Sequence, residues 1–195
     1  MHRNHFLYIF LFFVLLFPQS GHSASTLTNS RVKAFLENST QLLSQGGPKG
    51  EAAKTFLRQH VAEEGMFQAE VTTYLPGQPP QTQMLNLGKA ELIEKFSMGM
   101  NLLQDYSAKL KIMDIEIGPQ KRSARAHTMT LEQGKLPLPA GLFQPGEGAG
   151  AGAEDGDASR LHGTSSCWQT VSLNAADVMQ LKQAMCRVEI RLGGS

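Results

Sequence analysis

The stretch "YSAKLKIMDIEIGPQKRSARAHTMTLEQG", residues 106–134, sets the fold class. Tyr106, Ala108, Leu110 and Ile112 alternate with polar residues, and the phase then slips by one so that Ile115 and Ile117 take over. Period-two alternation is the mark of a strand with one buried face. A single slip predicts a β-bulge at Met113-Asp114. Gly118-Pro119-Gln120-Lys121 makes a turn, and Ala124, Ala126, Thr128 and Thr130 return as a second strand with a small-residue face toward the core. A tight turn would set Ile115 opposite Ala124. Arg125 and His127 then share the other face, which suits a solvated surface or a dimer contact.

Outward from this hairpin, the C-terminal segment "SSCWQTVSLNAADVMQLKQAMCRVEIRL", residues 165–192, reads as another. It holds both cysteines of the chain. Folding it between Ala176 and Asp177 brings Cys167 opposite Cys186, at a spacing that cross-strand pairs can bridge with modest adjustment. A C-x-x-C redox motif is absent, and two thiols make an incomplete zinc site. The staple is therefore the preferred reading, and it needs an oxidising compartment.

The N-terminus supplies that compartment. Arg3 precedes an apolar run from Phe6 to Phe17, broken by Pro18 and Gly21 and followed by Ser23-Ala24. The run is short of the roughly 20 residues a membrane span needs. Its order of charge, apolar core and small residues describes a secretory signal peptide over residues 1–24, cut after Ala24. An uncleaved anchor is the alternative. With cleavage, no stable membrane span remains, and the mature protein, residues 25–195, is periplasmic or secreted. It suits a single domain.

The full chain carries 18 Lys+Arg against 17 Asp+Glu. That balance gives a nucleic-acid backbone nothing to pull on. His60, His127 and His162 are too scattered for a metal site, and neither a metal nor another cofactor is called for. Between the termini, Val32, Phe35, Leu36, Leu42 and Leu43 form a helical stripe after capping candidates at Thr28–Ser30. "QGGPKG" at 45–50 stops it. A second helix is predicted from Glu51 through Val61 and on to Gly65 as its breaker. Strands follow at 66–75 and 81–87, and "GKAELIEKFSMGMNLL" gives a third helix. Residues 145–163 are rich in Gly, Ala and acid, and read as a disordered loop because they offer little apolar surface to offset the entropy of ordering.

The order is α+β: three N-terminal helices packed on a strongly curved antiparallel sheet forming a cone. The helix pair ending in "LRQHVAEEGMFQAEV", the helix "GKAELIEKF", the hairpin of 110–134 and the ending "CWQTVSL…MCRVEIRL" together resemble the nuclear-transport-factor-two-like superfamily, also called SnoaL-like or cystatin-like, in an exported bacterial form. The resemblance spans nearly the whole mature chain. It implies a cavity at the open end of the cone, in a superfamily of isomerases, dehydratases, cyclases, secretion-machinery subunits and domains without catalysis.

No residue-by-residue match to a ketosteroid-isomerase catalytic set is found, since the first helix has no tyrosine on its apolar face. His60 and Asp114 are the candidate general bases, and Phe67, Met100, Tyr106 and Trp168 the candidate cavity lining. On these grounds an exported, non-catalytic domain is expected, binding a small apolar ligand or a protein partner, or pairing as a homodimer. The alternative is a small SnoaL-type isomerase, dehydratase or hydrolase that uses a cavity His or Asp as base.

Overall fold

The computed structural model describes residues 25–44, 50–136 and 159–193. Among them run α1 (Asn29–Leu43), α2 (Gly50–His60), β1 (Val61–Tyr74), β2 (Gln81–Leu87), α3 (Lys89–Leu102), β3 (Gln104–Ile117), β4 (Ser123–Leu136), β5 (Ser159–Leu173) and β6 (Met179–Leu192). The strands form one six-stranded open sheet in the order β2-β1-β6-β5-β4-β3. The segment 1–24, with its expected signal peptide, lies outside the described residues, as does the part of the expected loop from 145 to 158.

Thr28 is the N-cap of α1, its hydroxyl accepting from the Arg31 amide at 3.3 Å. From there Val32 and Leu36 project inward, fully buried, against Ala124 and Ala126 of β4 and Val171 and Leu173 of β5. Ala126 is 0% exposed and Thr128 1%. The small side of β4 does face the core: residues this short let a helix approach the sheet closely without overpacking. A second cluster joins Leu57 of α2 to Val61, Phe67 and Ala184, with Leu92, Ile93 and Phe96 of α3 packed onto it. The Gly88 amide at the start of α3 donates to Glu91 Oε2 at 2.9 Å, half of a capping box because glycine has no side chain to return the bond.

Several expectations need correction. The sheet is mixed rather than antiparallel, because β1 runs parallel to β6, with Phe67 beside Ala184 and Ala69 beside Cys186. Parallel neighbours are joined through distant chain, so alternation within β1 carries no trace of its partner. The helix expected to reach Gly65 ends at His60, and β1 starts at once with Val61 paired to Leu181. Val61 does belong to an apolar face, but that face is a strand's. Gly65 sits at the irregularity between Val61 and Met66, where a Cβ would come within 2.9 Å of both the Ala62 carbonyl and the Phe67 ring. Glycine is there for room, not to break a helix. At the other end, β5 begins at Ser159, inside the span expected to be loop. Pairing with β4 on one side and β6 on the other satisfies its backbone despite a polar composition.

The long hairpin carries the expected bulge, the register shifting between Ile112 and Asp114. Its register differs by two: Ile115 faces Ala126 and Ile117 faces Ala124. An offset of two preserves the faces, which is why the core assignment survives. Cys167 and Cys186 are opposed in the β5–β6 ladder and joined as a disulfide, their Cα atoms 4.1 Å apart. Both face the helices, beside Gln169 and Ala184. Among the described residues no helix is long and apolar enough to cross a membrane. The paired thiols are compatible with an exported protein.

Two measurements probe these constraints. Gly65→Ala should destabilise the protein by about 1–3 kcal/mol in urea unfolding, since backbone must shift to admit the methyl. Replacing both cysteines by serine should cost about 3 kcal/mol in guanidinium unfolding and leave the far-ultraviolet circular dichroism unchanged.

Candidate functional site

Between α1, α2 and the helix-covered face of the sheet lies a cavity of about 130 Å³. Phe35, Phe56, His60, Leu110, Thr130 and Gln169 are among its lining side chains. The stripe spacing of α1 places Phe35, Leu36, Ser39 and Leu43 along it, and Phe56 and His60, one turn apart on α2, close another wall. The hydroxyls of Ser39 and Thr40 both turn back to the Leu36 carbonyl, at 2.8 and 3.0 Å. Their polarity is spent inside the helix, which keeps the cavity wall largely apolar. On the sheet side, Gln169 Nε2 donates to the buried Thr128 hydroxyl at 2.8 Å.

His60 is the one ordinary acid–base group among the lining residues. As the last residue of α2 it reaches across to β6, with Nδ1 2.7 Å from the Met179 carbonyl oxygen. A carbonyl can only accept, so Nδ1 carries the hydrogen and the neutral ring keeps its lone pair at Nε2. Its ring stacks on Phe56 with centroids 4.4 Å apart, and the Phe35 ring meets it at 5.6 Å in an edge arrangement. Two aromatic contacts and one hydrogen bond leave the imidazole a single orientation.

The other candidates lie elsewhere. Asp114 is exposed at the bulge, paired with His127 on the face away from the helices. Trp168 is 39% exposed on that same outer face, stacked on His127 at 4.5 Å with the Arg125 guanidinium 4.3 Å from its ring centroid. Phe67 is buried among Leu57, Val61 and Ala184, in the core under α2 and α3. The Met100 side chain lies outside the described residues. Among the described side chains, His60 alone of the named set borders the cavity, and no three His, Cys, Asp or Glu side chains converge as metal ligands.

Sequence reading also missed a partner. One inward step along β4 from the cavity-lining Thr130 stands Glu132, facing Tyr106 of β3. Burial pushes the Glu132 carboxyl above the usual carboxylate range, although the tyrosine hydroxyl works the other way. Burial and the nearby carboxylate also push the Tyr106 phenol up. Two glycines make the space. A Cβ on Gly163 would lie 3.1 Å from Glu132 Cβ, and one on Gly134 would lie 3.4 Å from the Tyr106 ring. The signal was available as an acid in phase with Thr128 and Thr130, opposite a glycine, but only with the β4–β5 register in hand.

No protein-family model matches the sequence, and no curated protein is significantly similar to it. Solved structures do match. A conserved protein from Planctomyces limnophilus superposes with a TM-score of 0.51 at 13% identity, over 80% of this chain and 92% of that one. A ketosteroid isomerase-like protein from Erwinia carotovora gives 0.46 at 12% identity, over 83% and 98%. A hexachlorocyclohexane dehydrochlorinase of type 2 gives 0.49 at 8% identity, over 85% and 90%. At such identities the likeness concerns architecture alone. The fold is α+β, three helices and one open mixed sheet, and the Planctomyces limnophilus protein shares its architecture.

Glu132 furnishes a pH test. Its carboxyl holds its proton to higher pH in the folded chain than in the unfolded one, so its stabilising share is complete below the unfolded value and is lost as pH rises through the folded value. Glu132→Gln should therefore raise the melting temperature at pH 7 and change it much less at pH 4, in paired thermal melts.

Proposed function

We propose that the cavity is the active site of a small SnoaL-type enzyme, in which His60 Nε2 removes a proton from carbon in a compact, mainly apolar substrate. The observation that supports this most strongly is the fixed imidazole. A base works best when its tautomer and direction are set before the substrate arrives, and His60 has its Nδ1 hydrogen committed to the Met179 carbonyl while Phe35 and Phe56 hold the ring. The apolar wall suits a substrate about the size of a single six-membered ring, since an apolar cavity of roughly 150 Å³ takes benzene. A proton lost from carbon leaves negative charge on an adjacent carbonyl oxygen or a departing group. Gln169 and Thr130 are the polar side chains on the sheet wall that could orient such a group.

One observation favours a second reading, an exported domain that binds a small apolar molecule without turning it over. Among the lining side chains His60 has no carboxylate beside it to share the proton, and Glu132 lies one step beyond the wall. The two readings part in one experiment on a simple carbon acid. Wild-type protein with 2-cyclohexenone in deuterium oxide should accelerate loss of the enone's exchangeable protons, followed by proton NMR. His60→Gln, whose amide can keep the bond to Met179, should lose that acceleration by about a hundredfold or more. Shift changes at Phe35 and Phe56 without exchange would reject the enzyme in favour of the binding domain.

A further inference from the structure

The earliest described residues are gripped by two turns at one end of the sheet. The Ser25 amide donates to Asp177 Oδ2 at 3.1 Å. Arg122 takes the other carboxylate oxygen, Nη1 to Oδ1 at 2.9 Å, and its Nη2 donates to the Asn174 carbonyl at 2.7 Å. Two residues on, the Leu27 amide donates to the Lys121 carbonyl at 2.7 Å, and the Leu27 side chain is 1% exposed in the core. Asp177 is itself held firmly. It adopts a left-handed φ of 58° in a turn where Asn174 Oδ1 accepts from the Ala176 and Val178 amides. The carboxyl is kept below its usual range, first by the Ser25 amide and then by Arg122.

The arrangement gives each oxygen of one carboxylate its own donor. Arg122 brings a full charge to Oδ1, whereas the Ser25 peptide N–H that meets Oδ2 is neutral. That nitrogen is the one the sequence marks. Residues 1–24 have the form of a signal peptide whose small-residue exit, Ser23-Ala24, directs cleavage to the bond before Ser25. We propose that the Ala24–Ser25 bond is a processing site and that Asp177 is the seat of the amino terminus created there. A membrane-associated signal-peptidase-type protease would add water across the bond. The carbon–nitrogen bond breaks, Ala24 leaves with a carboxylate, and Ser25 keeps the nitrogen as an ammonium at neutral pH. The same nitrogen then faces Oδ2 with a unit charge and three donors in place of one, a charge-assisted contact stronger than the amide's.

Burial of Leu27 fixes how far the new terminus can wander, so the ammonium is delivered to the carboxylate by packing already present. The seat also rewards the correct cut. A terminus one or two residues later would remove Ser25 and leave Oδ2 without its partner, and one farther upstream would leave a neutral amide there.

The full chain, expressed with its N-terminal segment and recovered from the exported fraction, should begin at Ser25 by intact mass and N-terminal sequencing. Any other start, or an uncut chain, overturns the proposal. The processed protein should then be compared with the same protein acetylated at its α-amine near neutral pH, where the α-amine is far more reactive than lysine. Acetylation should raise the unfolding equilibrium constant by about threefold in the wild type and leave it unchanged in Asp177→Asn. An equal effect in both proteins, or none in the wild type, would show that Asp177 does not hold the terminus. The wild-type comparison stands by itself should Asp177→Asn fail to fold.

Discussion

Close approach of α1 to the sheet governs the rest of the structure. Val32 and Leu36 can be buried completely only because β4 offers Ala124 and Ala126 beneath them. Side chains one or two methylenes larger would lift the helix and leave voids beside it, and interiors tolerate neither strain nor gaps well. Seating α1 there also determines where the packing ends. Beyond Ala126 the inner face of β4 continues with Thr128 and Thr130, and α1 continues with Phe35, Ser39 and Leu43; helix and strand no longer fill the gap between them, and the cavity is what remains.

The position of His60 follows from how α2 ends. The helix stops without a glycine cap, and the chain turns directly into β1 as Val61 pairs with Leu181. This abrupt change places the last helical side chain beside β6, near enough for the Met179 carbonyl to take its hydrogen. The feature that brings His60 to the cavity wall is therefore the junction itself, supported by the room that Gly65 leaves at the following irregularity.

The two faces of the sheet have separate characters. The inner face holds the disulfide, Gln169 and Thr130 against the helices, and farther along it the Tyr106–Glu132 pair. The outer face carries Arg125, His127 and Trp168 in one stacked group, with Met129 and Met185 exposed nearby. Aromatic and methionine side chains that look alike as a list of cavity candidates are thus sorted by strand parity alone. Phe67 and Trp168 illustrate it: one is core and the other surface, and their residue types predict neither.

Local pattern carried far into this fold. The bulge in β3, the small face of β4, the turns at 118–121 and 174–177 and the opposition of Cys167 to Cys186 were all legible, because each depends on neighbours within a hairpin. The boundary of α2 was misread because Val61 fits a helical stripe and a strand equally well, and only its pairing with a strand far along the chain separates the two. The parallel β1–β6 contact, the ordered start of β5 and the nearness of Glu132 to Tyr106 were likewise decided in three dimensions. Each is a meeting of segments far apart in the chain, and a period of two or three and a half residues records which way a side chain points but not what waits on the other side.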